Sequence, residues 1–217
     1  MKSKIITGAV AALISISTRA DMLTVANHSF ESPDIGNGSS TTGSDPTSWQ
    51  HTGSDSMGII DRNSGGYSTA VDPTPDTDGE QLAWSNGGDF YQVLAATLAA
   101  NTMYDVYVDV GDRTDAGFPG ANIRLGYGST YGSNLLTADT IVKPTPTSEW
   151  LEWHYTFTTG ASPAGEGEAL RIELENPGGA QALFDNVRIT STAIPEPNSL
   201  AMLALALAAA GLRRFRK

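Results

Sequence analysis

At 217 residues with no cysteine, 17% charged residues and a formal net charge of −11, the chain has the length of one domain with short terminal extensions, and neither a disulfide framework nor a thiolate metal site is open to it. The acidity is concentrated in the body, where residues 21–194 hold 6 Lys and Arg against 23 Asp and Glu, a balance of −17. Such a surface repels phosphate backbones, which are bound through Lys and Arg displacing counterions; this excludes DNA and RNA as partners, while favouring solubility and attracting divalent cations.

The chain opens on a basic Met1-Lys2-Ser3-Lys4, an apolar run from Ile5 to Ile16 broken only by Thr7, Gly8 and Ser15, and a small-residue boundary at Thr18-Arg19-Ala20. This is the layout of a secretory signal peptide over residues 1–20, with cleavage after Ala20 leaving Asp21 first. From there, Gly, Ser, Thr, Asn, Asp and Pro clusters punctuate short apolar runs, the pattern of an all-β sandwich or barrel. In order, the alternation predicts strands at Met22–Ala26, Met57–Asp61, Gln81–Ser85 and Phe90–Leu94, then at Met103–Val110, Ala121–Tyr127, Glu149–Thr159, Leu170–Leu174 and Leu183–Ile189.

The strongest alternations are two. Tyr104, Val106, Val108 and Val110 face one way with Asp105, Tyr107 and Asp109 opposite; Leu151, Trp153, Tyr155 and Phe157 face one way with Trp150, Glu152, His154 and Thr156 opposite. About nine or ten strands in residues 21–192 suit two packed antiparallel sheets, a β-sandwich. Residues 32–45 and 111–120 read as long loops, and Asp72-Pro73-Thr74-Pro75-Asp76 as a stiff acidic turn.

Residues 193–217 form a separate tail. After Ile194-Pro195-Glu196-Pro197-Asn198, whose prolines stop a strand, the hydrophobic segment 199–212 favours a helix, and Arg213-Arg214-Phe215-Arg216-Lys217 ends the chain on cations that hold a membrane segment's end on the cytoplasmic side. The apolar block falls short of the roughly 20 residues of a stable span, which points to transient membrane residence. The motif Pro195, Glu196, Pro197, the short apolar segment and Arg213, Arg214 and Arg216 together resemble the PEP-CTERM sorting signal of Gram-negative bacteria. That resemblance implies an exosortase-type protease as partner, passage through the inner membrane, and delivery to the cell surface or matrix. Tails of this type also occur on proteins named for ice binding, but the body has no flat Thr array of the kind that would suggest that activity.

The body carries a second resemblance. Asn27-His28-Ser29-Phe30-Glu31, Pro46-Thr47-Ser48-Trp49, Phe90-Tyr91-Gln92-Val93-Leu94 and Leu183-Phe184-Asp185-Asn186-Val187-Arg188-Ile189 occur in an order similar to the galactose-binding-like jelly roll of many carbohydrate-binding modules. His28 departs from the pattern, which usually has a small residue there. The resemblance implies one structural Ca²⁺ joining first and last strands through Glu31 and Asp185, oxygen ligands of the type a hard cation takes; the same residues also read as a solvated carboxylate and a strand-end cap. Asp76-Thr77-Asp78-Gly79-Glu80 echoes a calcium loop without its later acidic positions and reads as a turn.

The candidate ligand face combines Asp105, Tyr107, Asp109, Trp150, Glu152 and His154, with Asn122 and Arg124 beside it and Trp49, His51 and Arg113 at the rim. Aromatic rings cover the apolar side of a sugar while carboxylates take its hydroxyls. A solvated sheet face held by cross-strand pairs is the plainer reading of the same residues. Trp84 and Tyr91 are assigned to the core, and the three histidines are too scattered for a metal triad. With no Gly-x-Ser-x-Gly elbow, phosphate loop or paired-His motif, no catalytic residue is predicted and the chain is expected not to be an enzyme. The expected function is binding or organising extracellular polysaccharide, the alternatives being a structural matrix protein or a polysaccharide-acting enzyme that uses two of the many carboxylates.

Overall fold

The computed structural model describes residues 19–54, 56–64, 78–113, 115–147 and 149–195. Residues 1–18 of the expected signal peptide, the Asp72–Asp76 turn and the sorting tail beyond Pro195 lie outside the described residues. Within them the chain forms eleven strands: β1 (Ala20–Leu23), β2 (Gln50–Gly53), β3 (Met57–Asp61), β4 (Gln81–Ser85), β5 (Gly88–Thr97), β6 (Thr102–Gly111), β7 (Asn122–Tyr127), β8 (Ala138–Val142), β9 (Trp150–Thr158), β10 (Ala169–Glu175) and β11 (Ala182–Ala193). β2 and β8 had no counterpart in the predicted strands. Both sit at sheet edges and send few apolar side chains inward, so their sequences lack the alternation that reveals a central strand.

The larger sheet runs β3-β4-β11-β6-β9-β8, with β1 pairing the far end of β11, and the smaller runs β2-β5-β10-β7. Every pairing is antiparallel. The inward faces meet in one core: Tyr104, Val106, Val108 and Val110 from β6 and Trp153, Tyr155 and Phe157 from β9 pack against Phe90, Leu94, Ile172 and Leu174 of the smaller sheet. Removing these side chains from water is what drives the two sheets together.

A second, smaller apolar cluster lies on the outer face of the larger sheet, where Ile60, Leu82, Trp84, Trp150 and Leu183 bury one another. The segment 36–45 runs across this end of the sheet: Ser40 bridges Ile60, and Trp84 Nε1 donates to the Thr41 carbonyl over 3.1 Å. β11 contributes to both clusters because its pairing with β6 shifts between Asp185 and Arg188, at Asn186 with φ +49°. Leu183 therefore faces the outer cluster while Phe184, Val187 and Ile189 face the main core, where unbroken alternation would put Leu183, Val187 and Ile189 on one side.

Candidate functional site

The centre of the larger sheet brings together five of the predicted face residues through strand register alone. Asp105, Tyr107 and Asp109 on β6 lie opposite Thr156, His154 and Glu152 on β9. On the other flank, Tyr107 lies opposite Arg188 of β11. Their side chains share the face turned away from the core because each alternates with a buried valine, aromatic or isoleucine neighbour.

Tyr107 is held between two neighbours. The His154 ring stacks on it at 4.3 Å with planes 4° apart, and the Arg188 guanidinium lies 5.5 Å from its centroid on the adjacent strand. Around this row, His154 Nε2 and Thr156 Oγ1 each lie 2.8 Å from Asp105 Oδ1. Arg188 pairs with Glu152 and approaches Asp109 at 3.6 Å, while Asn186 Nδ2 donates to Asp109 Oδ2 over 2.9 Å. Burial and the nearby carboxylates of Asp105 and Glu152 push the Tyr107 hydroxyl above its ordinary range, so at neutral pH it is a proton donor. The outcome is a strip of hydrogen-bonding edges and charges. It is not a set of open ring faces, because the faces of Tyr107 are turned toward its strand neighbours.

Three expectations change. Trp150 is 3% exposed inside the outer apolar cluster, lying over Gly111, and so offers no surface ring. Trp49 is also 3% exposed, packed on Phe30 at 5.1 Å with its indole N–H on the Asn27 carbonyl. Asn122 and Arg124 belong to β7 in the other sheet and are not beside the face. Arg113 follows β6 and is engaged by Asp115 and by Gln181 Oε1 at 2.9 Å; His51 on β2 pairs with Asp45. Arg188 and Asn186 were missed, and Thr156, already placed on the outward face of its strand, was left out of the ligand face. Alternation along β11 exposes Arg188, but only the knowledge that β11 neighbours β6 brings it to Tyr107.

Glu31 and Asp185 both turn to one backbone segment. Glu31 Oε1 accepts from the amides of Glu80 and Gln81 at 2.8 and 2.7 Å, and Asp185 Oδ2 accepts from the Asp78 amide at 3.0 Å. Asp185 is 0% exposed, and burial first, with Asp109 and Asp78 adding, pushes its carboxyl up to about 9 against the pull of the Asn186 and Asp78 amides. The carboxylate donor set suits a hard cation. The carbonyls of Asn27 and Phe30 in the opening segment, the backbone oxygens near Glu31, already accept from Trp49 Nε1 and Gln81 Nε2, and no group of three metal-ligating side chains assembles among the described residues. Beside this segment lies a cavity of about 400 Å³, where Met22, Leu23 and Val25 meet His28, Asp78 and Arg188.

A family model described as HpiC1 cyclase matches residues 21–190, and a PEP-CTERM protein-sorting motif matches residues 193–217. The fold is similar to an apo cyclase from Fischerella sp., at 23% identity over 82% of this chain and 98% of that one, TM-score 0.65. It is similar to a Stig cyclase from Fischerella sp. TAU solved in complex with (3Z)-3-(1-methyl-2-pyrrolidinylidene)-3H-indole, at 22% identity over 82% of this chain and 100% of that one, TM-score 0.65. A xylan-binding CBM22-1 domain from Paenibacillus barcinonensis aligns at 12% identity over 82% and 99% of the two chains, TM-score 0.49. No curated protein matches the sequence.

Proposed function

The chain belongs to the HpiC1-like family and ends in a PEP-CTERM sorting tail, and on that premise we propose that this exported domain binds extracellular polysaccharide through the outer face of its larger sheet, without turning it over. Family membership fixes the fold, and function follows from the site. The observation that carries the reading is the polar strip on β6, β9 and β11. There Asp105, Glu152, His154, Arg188 and the Tyr107 hydroxyl present donors and acceptors side by side, as a chain of sugar hydroxyls requires. In this reading an exosortase cuts near Pro195-Glu196-Pro197 and leaves the domain at the cell surface or in the matrix.

The test is affinity electrophoresis of the mature protein through gels cast with acidic and neutral polysaccharides. Retardation is expected for the wild type, with loss of about tenfold in affinity for Arg188→Ala, a central charged anchor. Equal mobility with and without polysaccharide would instead support a structural matrix component.

The second part of the reading is one structural Ca²⁺ held by Glu31 and Asp185, supported by the carboxylates that gather around the buried Asp185. Calcium would tie the opening segment to β11 and add positive charge beside Asp185, where of the cluster's carboxylates Arg188 reaches only Asp109. Added Ca²⁺ is expected to raise the melting temperature of chelator-treated protein, and Asp185→Asn to remove that rise.

Small-molecule chemistry of the kind for which the family model is named has one observation in its favour, the cavity of about 400 Å³ beside His28 and Arg188, a size that takes small ligands. Turnover of an indole substrate that disappears on changing His28 or Asp78 would replace the polysaccharide reading.

A further inference from the structure

The two sheets part along one flank, where β7 is the edge of the smaller sheet and β8 the edge of the larger. A cleft of about 290 Å³ opens there. Ile123, Phe157 and Tyr155 form its buried floor, while Leu135 and Ile141, 39% and 51% exposed, form its lips. Asn122, Arg124, Lys143 and Glu175 supply its polar wall, Arg124 being paired with Glu173 and Glu175. An apolar body with a few placed polar groups is the general make-up of a small-molecule site.

Tyr155 separates this cleft from an ordinary gap between sheet edges. The residue is 3% exposed, its hydroxyl is closed to solvent, and no group of the protein accepts its proton. Burial raises its pKa, and the Ile123 backbone opposes this, which is the action of an N–H directed at the oxygen. The hydroxyl proton is therefore left without an acceptor. A buried donor in that state is costly, and phenylalanine would fill the same space without the cost. An acceptor brought by a ligand accounts for the tyrosine.

Lys143 determines what else the ligand carries. Its ammonium has three donors, of which one meets Asn122 Oδ1 at 3.2 Å, and it lies 5.8 Å from the Trp153 ring centroid. An anionic group can take the others. Asn122 is steadied by Glu175 at 2.8 Å, so the polar wall is already organised. The volume is about twice that of an engineered apolar cavity of ~150 Å³ that takes benzene, which leaves room for one substituted ring with a short chain.

From this cleft we infer a binding site for a small oxygenated aromatic carboxylic acid, with a ring oxygen accepting from Tyr155 and the carboxylate on Lys143. It shares no residue with the polar strip and stands whether or not that strip binds polysaccharide.

Titration calorimetry of the mature protein with ferulate, cinnamate and methyl ferulate tests it, because cinnamate lacks the ring oxygens and the ester lacks the charge. Ferulate is expected to bind about tenfold more tightly than either, the cost of one lost polar contact to a buried or charged partner. Tyr155→Phe should abolish the preference for ferulate over cinnamate while leaving the melting temperature equal or higher. Lys143→Gln should abolish the preference for ferulate over its ester. No heat with ferulate, or preferences that survive both substitutions, would overturn the assignment.

Discussion

Asp185 is closed off from water within reach of Asp109 and Asp78, and holds its proton up to about 9, whereas in an unfolded chain an aspartate titrates near ~3.9. Between these values the folded state binds the extra proton, so this contribution to stability is fully present below about pH 4 and is lost as pH rises toward 9. Asp89, also raised chiefly by burial, acts with the same sign. Chelator-treated protein is therefore expected to melt at progressively lower temperature as pH is raised from about 5 to 9, and Asp185→Asn to flatten that slope in scanning fluorimetry. If calcium binds, its addition at neutral pH should release close to one proton per molecule, measurable in weakly buffered solution, because a ligating carboxylate must be ionised.

Gly79 gives a second single-residue test. Its φ is +98°, and a Cβ there would run into the Glu31 carboxylate that accepts from the Glu80 and Gln81 amides. Gly79→Ala is expected to cost about 1–3 kcal/mol in urea unfolding. Gly117, with ordinary φ and open space around its Cα, should tolerate alanine within about 0.5 kcal/mol.

At the scale of the elements, β10 separates what alternation reveals from what it hides. Leu170, Ile172 and Leu174 read correctly as core, which leaves Arg171 and Glu173 on a face that looks solvated in sequence. Both are 0% exposed, because residues 127–133 cross that face. Arg171 donates to the carbonyls of Tyr127, Gly128 and Ser133 and, over 2.6 Å, to Glu173, which also accepts from the Gly132 amide and lies 2.9 Å from Arg124. Glu173→Gln is expected to cost about 3–5 kcal/mol in urea unfolding by leaving a buried cation short of its partner. Glu175→Gln, at a quarter-exposed pair with Arg124, should cost under about 1 kcal/mol.

The same distinction explains the site. The period of two placed Asp105, Tyr107, Asp109, Glu152 and His154 on outward faces, and register then joined them. Period alone said nothing about which outward faces are covered, so Trp150 read as a platform and proved to be buried beside Trp84, and Trp49 beside Phe30. Arg188 entered through the neighbour relation of β11 and β6, which no local pattern encodes.

For the whole molecule, the antiparallel sandwich was legible because a cysteine-free domain must alternate apolar residues strongly to build its core. The sorting motif at residues 193–217 was legible because its physics is local: strand-stopping prolines, a short apolar segment and terminal cations. If both ends are processed as proposed, intact mass of the cell-surface protein should correspond to a chain beginning at Asp21 and ending near Pro195-Glu196-Pro197, apart from any added group. Retention of either hydrophobic extension would contradict the processing.

In the proposed complex a polysaccharide lies along the polar strip on β6, β9 and β11. Amide hydrogen exchange on the mature protein, with and without the polysaccharide that retards it, tests this most directly. Slowed exchange confined to residues 105–109, 152–156 and 186–190 is the predicted result, and protection that skips these strands and appears around Met22 and His28 would contradict it.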